Sequence, residues 1–382
     1  MNNTYVGIMA GGAGTRFWPA SREDRPKQFL DILGVGKTLL QMTYERFLKV
    51  CPKENIFIIS NEKYSDLIKE QLPDIEDHQI LEEPVRRNTA PCVAYAAHKI
   101  HALNENANIV VAPADHFIQN EEIFIDIISK ALTYAQNIEN SLLTLGIRPT
   151  RPDTGYGYIQ MGEQEGEERN LHLVKTFTEK PDLEIAQTFL ASGDFVWNSG
   201  IFIWSTKSIL NAYETYLPEM NEIFVEGKYK YNTSEEKAFI KKAYPLSKNI
   251  SIDYGIMEKA EKVLVIPGDF GWSDLGTWGS VYDKLMKDDK ENVIIGKNVM
   301  TFDTSNSIVN VPHDKLVILD GLDDYIIVII FKKKNEIRVL SKINLKDVLK
   351  LNNKIFFDIN LNNEENFNYM VKVLKEIYED FW

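Results

Sequence analysis

A buried strand that runs straight into a glycine cluster is the strongest constraint in this chain. Tyr5-Val6-Gly7-Ile8-Met9-Ala10 is apolar throughout, and Gly11-Gly12-Ala13-Gly14-Thr15-Arg16 follows without a break. A short continuous apolar run fits a strand covered on both faces, the habit of parallel sheets. Glycines after such a strand let backbone N–H groups approach an anion, because no Cβ stands in the way. Arg16 supplies a planar cationic fork suited to phosphate oxygens, and Pro26-Lys27 brings a second cation. The pattern points to a loop for a nucleoside triphosphate. A tight turn with two solvated charges would account for the same residues without a ligand.

The familiar phosphate motifs do not fit this stretch. A dinucleotide fingerprint on Gly12 and Gly14 needs a third glycine where Phe17 stands. Gly36-Lys37-Thr38 resembles the end of a Walker loop, but the glycine required five residues earlier is Asp31. Residues 34–37 therefore read as a turn, with Thr38 capping a helix through Leu39, Met42, Phe47 and Val50.

Strand and helix patterns then alternate. Strands are predicted at 55–60, 79–81, 108–113 and 141–147, with helices at 62–72, 89–103 and 121–136. Such rotation specifies an α/β fold, a mostly parallel sheet flanked by helices. Ligands of such sheets sit beyond the carboxyl ends of the strands, so the loops after Ala10, Leu81 and Pro113 should share one crevice. Beyond Arg148 the rhythm loosens. Paired strands are expected at 156–161 and 171–178, helices at 183–192, 207–216, 235–244 and 251–262, and a strand at 263–266. After Asp288 short β-prone runs dominate, which sets the expected boundary between a domain of residues 1–288 and a small β-rich C-terminal domain of residues 289–382. No internal repeat is visible there. The end carries an apolar helical face of Phe367, Met370, Val371, Leu374, Ile377, Tyr378 and Phe381.

Lysine and arginine total 43 against 56 aspartate and glutamate, a net charge of −13, which argues against a general nucleic-acid binder. Two cysteines, Cys51 and Cys92, make neither a disulfide framework nor a zinc site. No basic segment leads into an apolar stretch at the N-terminus, and no run is long enough to span a bilayer. The expected setting is the cytoplasm, with no membrane partner.

The crevice loops carry the candidate chemistry. Glu83 to Pro91 reads Glu-Pro-Val-Arg-Arg-Asn-Thr-Ala-Pro, and Pro113-Ala114-Asp115-His116 ends the next strand. A carboxylate facing a phosphate loop suits Mg²⁺, which takes one or two protein carboxylates plus phosphate oxygens. Asp115 and Asp274, in Gly271-Trp272-Ser273-Asp274, are the two candidates, though either could serve only as a loop or cap residue. Glu179-Lys180 would suit a phosphosugar, and Asn198 either makes a turn or reads sugar hydroxyls. His116 reads as a supporting residue rather than a general base, and no nucleophilic triad is present.

Taken together, these words resemble the nucleotide-sugar pyrophosphorylases. The family's Gly-Gly-x-Gly-Thr-Arg loop and Pro-Lys are Gly11 to Arg16 and Pro26-Lys27. The segments 17–22, 87–91, 113–116, 197–200, 251–258 and 271–274 carry the wording of the branch that joins mannose to guanosine, in order over residues 4 to 290. The resemblance implies a nucleotide-diphospho-sugar transferase-like fold and, with Mg²⁺, the reaction of GTP and mannose 1-phosphate to GDP-mannose and pyrophosphate. By the same resemblance Arg16 and Lys27 are catalytic, while Ala10, Gly11, Gly12, Gly14, Thr15, Glu83, Asn88 and Thr89 bind the nucleotide. Gly157, Glu179, Lys180 and Asn198 would bind the sugar phosphate, and Asp115 and Asp274 the metal. A homodimer is expected. Longer members append an isomerase domain for which these residues leave no room, so no isomerase activity is expected. The rival readings are another sugar and base, such as glucose 1-phosphate with UTP or dTTP, and a non-catalytic GDP-mannose-binding subunit.

Overall fold

The computed structural model describes residues 3–12, 17, 20–165, 170–314, 316–330 and 338–339. The chain divides into two units, residues 1–12 with 39–274, and residues 13–38 with 275–382. The boundary expected after Asp288 lies inside the second unit.

The first unit is built on a nine-stranded sheet. Its strands are β1 (Thr4–Met9), β2 (Ile56–Asn61), β3 (Ile80–Glu83), β4 (Asn108–Pro113), β6 (Leu142–Ile147), β7 (Tyr158–Gln164), β8 (His172–Thr178), β9 (Phe195–Ser205) and β10 (Val263–Gly268). They lie in the order β3-β2-β1-β4-β9-β6-β10-β8-β7. The short β5 (Phe117–Ile118) pairs instead with β11 (Trp272–Ser273). Seven of the nine strands point one way, and only β8 and β9 run against them. The apolar runs predicted as strands are β1, β2, β4 and β6, each buried along almost its whole length. Placing β1, β3 and β4 in parallel brings the loops after Met9, Glu83 and Pro113 to one edge of the sheet.

Helices α1 (Leu39–Phe47), α2 (Ser65–Gln71), α3 (Thr89–Leu103), α4 (Glu121–Asn137), α5 (Leu183–Ser192), α6 (Thr206–Tyr216), α7 (Pro218–Val225) and α8 (Glu236–Ala243) complete this unit. Residues of α3, α6, α7 and α8 share one large core with Phe202, Trp204 and Tyr244. Asn198, read from sequence as a possible turn residue, lies instead inside the continuous β9. The antiparallel ladder of β9 with β6 shifts register between Thr144 and Gly146, and Gly200 takes a φ of 69° there. The helix expected over 251–262 does not form; a single π-helical turn, Asp253–Met257, stands there instead. Its neighbours explain the difference. The Ile252 N–H bonds to the Thr89 hydroxyl, and Ile250 O accepts from the Ala90 N–H. Those bonds fasten the start of the segment to the N-terminus of α3, and the Glu258 N–H then reaches back five residues to Asp253 O instead of four.

In the second unit α9 (Trp278–Lys284) precedes β12 (Val293–Ile295), β13 (Asn298–Phe302), β14 (Ile308–Asn310), β15 (Leu316–Asp320), β16 (Ile326–Ile330) and β17 (Arg338–Val339). The C-terminal part is thus made of strands, as expected, but its pairing shows a repeat that the sequence does not advertise. Val299 lies opposite Val317, Ser305 opposite Asp323 and Ile308 opposite Ile326, all parallel. Each step is 18 residues, so successive coils stack as in a solenoid. Val309, Val311, Val317 and Ile327 fill its interior. The amphipathic helix expected near residues 367–381 lies outside the described residues.

Candidate active site

At the sheet edge Gly11 and Glu83 meet. A Cβ on Gly11 would stand 2.7 Å from Glu83 Oε2, so any larger residue would have to displace that carboxylate. Ala10 is fixed on the same edge by its N–H to Ile59 O, 2.8 Å, and by the Ser60 hydroxyl on its carbonyl, 2.9 Å. Glu83 is buried and accepts the Tyr244 hydroxyl on Oε1. Burial pushes its carboxyl up to about 7, against the opposing pull of Tyr244 and Arg86. Asn88 takes a φ of 66°, unusual for a side-chain-bearing residue, and its Oδ1 caps α3 at the Thr89 N–H. Gly12 is exposed, whereas Gly14, Thr15 and Arg16 lie outside the described residues.

The raised Glu83 carboxyl has a consequence for stability. Its folded value of about 7 exceeds the ordinary 4.5, so the native state holds a proton that the unfolded chain releases. Stability should therefore fall as pH rises from about 4.5 to 7, by on the order of 3 kcal/mol. Glu83→Gln should flatten that slope in urea titrations run at several pH values, and an unchanged slope would contradict the assignment.

A second cluster gathers Gly157, Glu179, Lys180 and Asn198. The Asn198 N–H donates to Gly157 O at 2.8 Å, and a Cβ on Gly157 would collide with Glu179 Oε2. Lys180 donates to Glu179 Oε1 from a backbone with φ 47°. The Asn198 side chain is locked: its Oδ1 accepts from Thr144 Oγ1 and the Gly200 N–H, and its Nδ2 donates to Asp253 Oδ1 at 2.8 Å. Burial first, then the neighbouring Glu179, raises Asp253 to about 6.

Asp115 and Asp274 reach one end of the β5–β11 ladder, because Phe117 pairs with Ser273. Asp274 Oδ1 accepts the Tyr156 hydroxyl at 2.7 Å, and the Tyr156 ring stands edge-on to Trp197 and Trp272 at 4.9 and 5.3 Å. The Trp272 indole donates to His116 Nδ1 at 3.2 Å, so the neutral imidazole carries its proton on Nε2. Among the described residues no group of three or more His, Cys, Asp or Glu side chains is arranged to hold an ion. Two carboxylates are nonetheless the protein donor set that Mg²⁺ takes when phosphate oxygens complete its shell. Asp115 and Asp274 fit that description. Tyr156 and Tyr244, which orient candidate carboxylates, carry no signal in the sequence that would single them out.

In the second unit Lys27 is buried with its Nζ 5.6 Å from the centroid of Phe17. The amides of Val35 and Gly36 point at the Asp31 carboxylate, 3.0 and 2.7 Å away, so the Gly-Lys-Thr stretch is a turn closed on its own side chain. Cys51 and Cys92 are buried free thiols, Cys51 pushed up to about 12 by burial and both unsuited to nucleophilic work.

Known proteins similar to this chain fall in one family. The nucleotidyl transferase family model matches residues 6–291. The chain is 36% identical over 354 residues to mannose-1-phosphate guanylyltransferase 2 of Escherichia coli O157:H7, covering 88% of this chain and 72% of that one. It is 35% identical over 349 residues to a mannose-1-phosphate guanylyltransferase of Klebsiella pneumoniae, covering 90% and 72%. A crystal structure from Thermus thermophilus, described as a mannose-1-phosphate geranyltransferase, superposes with a TM-score of 0.78 at 32% identity over 91% of this chain and 97% of that one. No helix among the described residues is long and apolar enough to cross a membrane. With a doubly covered sheet ending in a glycine loop and a family match over three-quarters of its length, the chain belongs to the nucleotidyl transferase family.

Proposed function

We propose that this chain transfers GMP from GTP to α-D-mannose 1-phosphate, giving GDP-mannose and pyrophosphate. Its similarity along nine-tenths of its length to relatives named for that reaction carries the reading. The meeting of Gly157, Glu179, Lys180 and Asn198 beside a nucleotide-facing sheet edge supports it.

The chemistry asks little of a proton-removing side chain. The sugar phosphate is already an anionic nucleophile, and the obstacle is bringing it in line with the α-phosphorus of GTP. Like charges about 4 Å apart repel by roughly 4 kcal/mol at an effective dielectric near 20. Fixed cations and positioning must offset that repulsion. In this proposal Arg16 and the amides of Gly11, Gly12, Gly14 and Thr15, with Ala10 behind them, hold the β- and γ-phosphates. Lys27 meets the charge that builds near the α-phosphate. Glu83, when ionised, accepts from guanine N1–H and N2–H₂, with Asn88 and Thr89 alongside. Lys180 binds the sugar phosphate, and Glu179, Asn198 and the Gly157 backbone face the ring. Mg²⁺, held by Asp115 and Asp274, neutralises phosphate charge when bound. The proposal includes a cytoplasmic homodimer and a division of labour between catalytic residues 1–288 and a β-rich appendix from 289 to 382.

A panel pairing GTP, UTP and dTTP with mannose 1-phosphate and glucose 1-phosphate, scored by released pyrophosphate, tests the substrate assignment. GTP with mannose 1-phosphate should exceed every other pair by at least about 10²-fold. Preference for UTP or dTTP with glucose 1-phosphate would overturn it. Lys180→Ala should raise KM for mannose 1-phosphate by roughly tenfold while leaving KM for GTP nearly unchanged. Equal weakening of both substrates would contradict the role of Lys180.

A further inference from the structure

Asp253 carries no role in the scheme above, yet the structure sets it among the residues assigned to the sugar. It opens the only π-helical turn among the described residues, a distortion that is rare and tends to mark functional positions. The same segment is fastened at Ile250 and Ile252 to the start of α3, where the nucleotide-side residues Asn88 and Thr89 lie. Asp253 thus stands on the piece of chain that links the two halves of the candidate site.

The hydrogen bonds around Asn198 define what remains for Asp253 to do. With Oδ1 accepting twice and Nδ2 donating to Asp253, the amide has one N–H left, and its orientation is set by the protein. Asp253 Oδ2 takes no side-chain hydrogen bond among the described residues. We propose that Asp253 determines specificity in the sugar subsite: its carboxylate, aimed by Asn198, accepts a hydrogen bond from a ring hydroxyl of the hexose. This inference rests on the reading of the chain as a sugar-phosphate nucleotidyltransferase.

The charges around the group suit a polyol. Glu179 opposes the ionisation of Asp253 and Lys180 favours it, while Glu258 and Lys259 flank the Glu179 side of the cluster. Two neighbouring carboxylates gain from any neutral molecule that brings O–H donors to both, and a hexose does so without adding charge. The carboxyl of Asp253 at about 6 is ionised at neutral pH and ready to accept.

The test compares GDP with GDP-mannose by calorimetry on wild-type protein and on Asp253→Asn, an isosteric change. The variant should bind GDP-mannose about ten- to a hundredfold more weakly, with GDP affinity held within about twofold. Its kcat/KM for mannose 1-phosphate should also lose one proton dependence on the acid limb near pH 6. The limb due to the substrate phosphate, which titrates near the same pH, should persist in both proteins. Equal losses for GDP and GDP-mannose, or no loss for either, would overturn the inference and leave the parent reading standing. Wild-type protein that tells neither GDP from GDP-mannose nor mannose 1-phosphate from other sugar phosphates would remove both together.

Discussion

Replacing Asp274 by asparagine should lower turnover by about 10²- to 10³-fold and leave the thermal midpoint essentially where it was. The two halves of this expectation have separate causes. Asparagine keeps an Oδ1 that can accept the Tyr156 hydroxyl, now 2.7 Å from the carboxylate, so the packing of Tyr156 against Trp197 and Trp272 has no reason to change. The negative charge, by contrast, is lost entirely, and a magnesium ion sharing two carboxylates with phosphate oxygens would lose half of its protein donors. Steady-state kinetics over a Mg²⁺ titration, beside a thermal melt, would check both halves. Asp115→Asn should behave alike. Near-normal turnover in either variant would remove the metal assignment.

The largest expected effect on stability lies away from the site. Lys99 on α3 and Glu236 on α8 are both buried, and Lys99 Nζ donates to the two carboxylate oxygens at 2.8 and 2.7 Å. Glu236 also accepts the Tyr95 hydroxyl and the Asn232 N–H, both at 2.6 Å. A buried pair is not in itself proof of stabilisation, because desolvation offsets much of the attraction. Removing one member is another matter, since it strands the other as an unpaired buried charge. Glu236→Ala should therefore cost about 3–5 kcal/mol, read as a clear fall in thermal midpoint and urea midpoint. The double variant Lys99→Met, Glu236→Leu should recover most of that loss. A single variant as stable as wild type would mean that the pair is solvated rather than enclosed.

Much of the first unit is legible in the sequence because its signals are local. Thr89–Leu103 and Leu183–Ser192 follow helical periodicity to the residue, and the doubly buried strands announce themselves as short Val- and Ile-rich runs. The C-terminal ends of parallel strands then indicate where the crevice loops gather, and Gly11 does approach Glu83 there. What escapes is non-local. Nothing near residue 253 signals a π turn, and the bonds that anchor the start of that segment come from Thr89 and Ala90, far away in the sequence. Tyr244 orients Glu83 from 161 residues away. The 18-residue coil is hidden because Val299 matches Val317 while Phe302 faces Asp320, and outward positions of a solenoid have no need to repeat. The Gly36-Lys37-Thr38 turn shows the complementary lesson. A fragment of a phosphate motif with the wrong spacing is not a phosphate site, and here Asp31 holds the very amides a phosphate would have needed.

The central claim is a direct displacement in which the sugar phosphate itself attacks the α-phosphorus of GTP. Turnover of a single diastereomer of GTP bearing sulfur at the α-phosphorus, followed by assignment of the product's configuration by phosphorus NMR, tests it most directly. One in-line step predicts GDP-α-S-mannose with inverted configuration at that phosphorus. Retention would require a nucleotidyl-enzyme intermediate and would contradict the account.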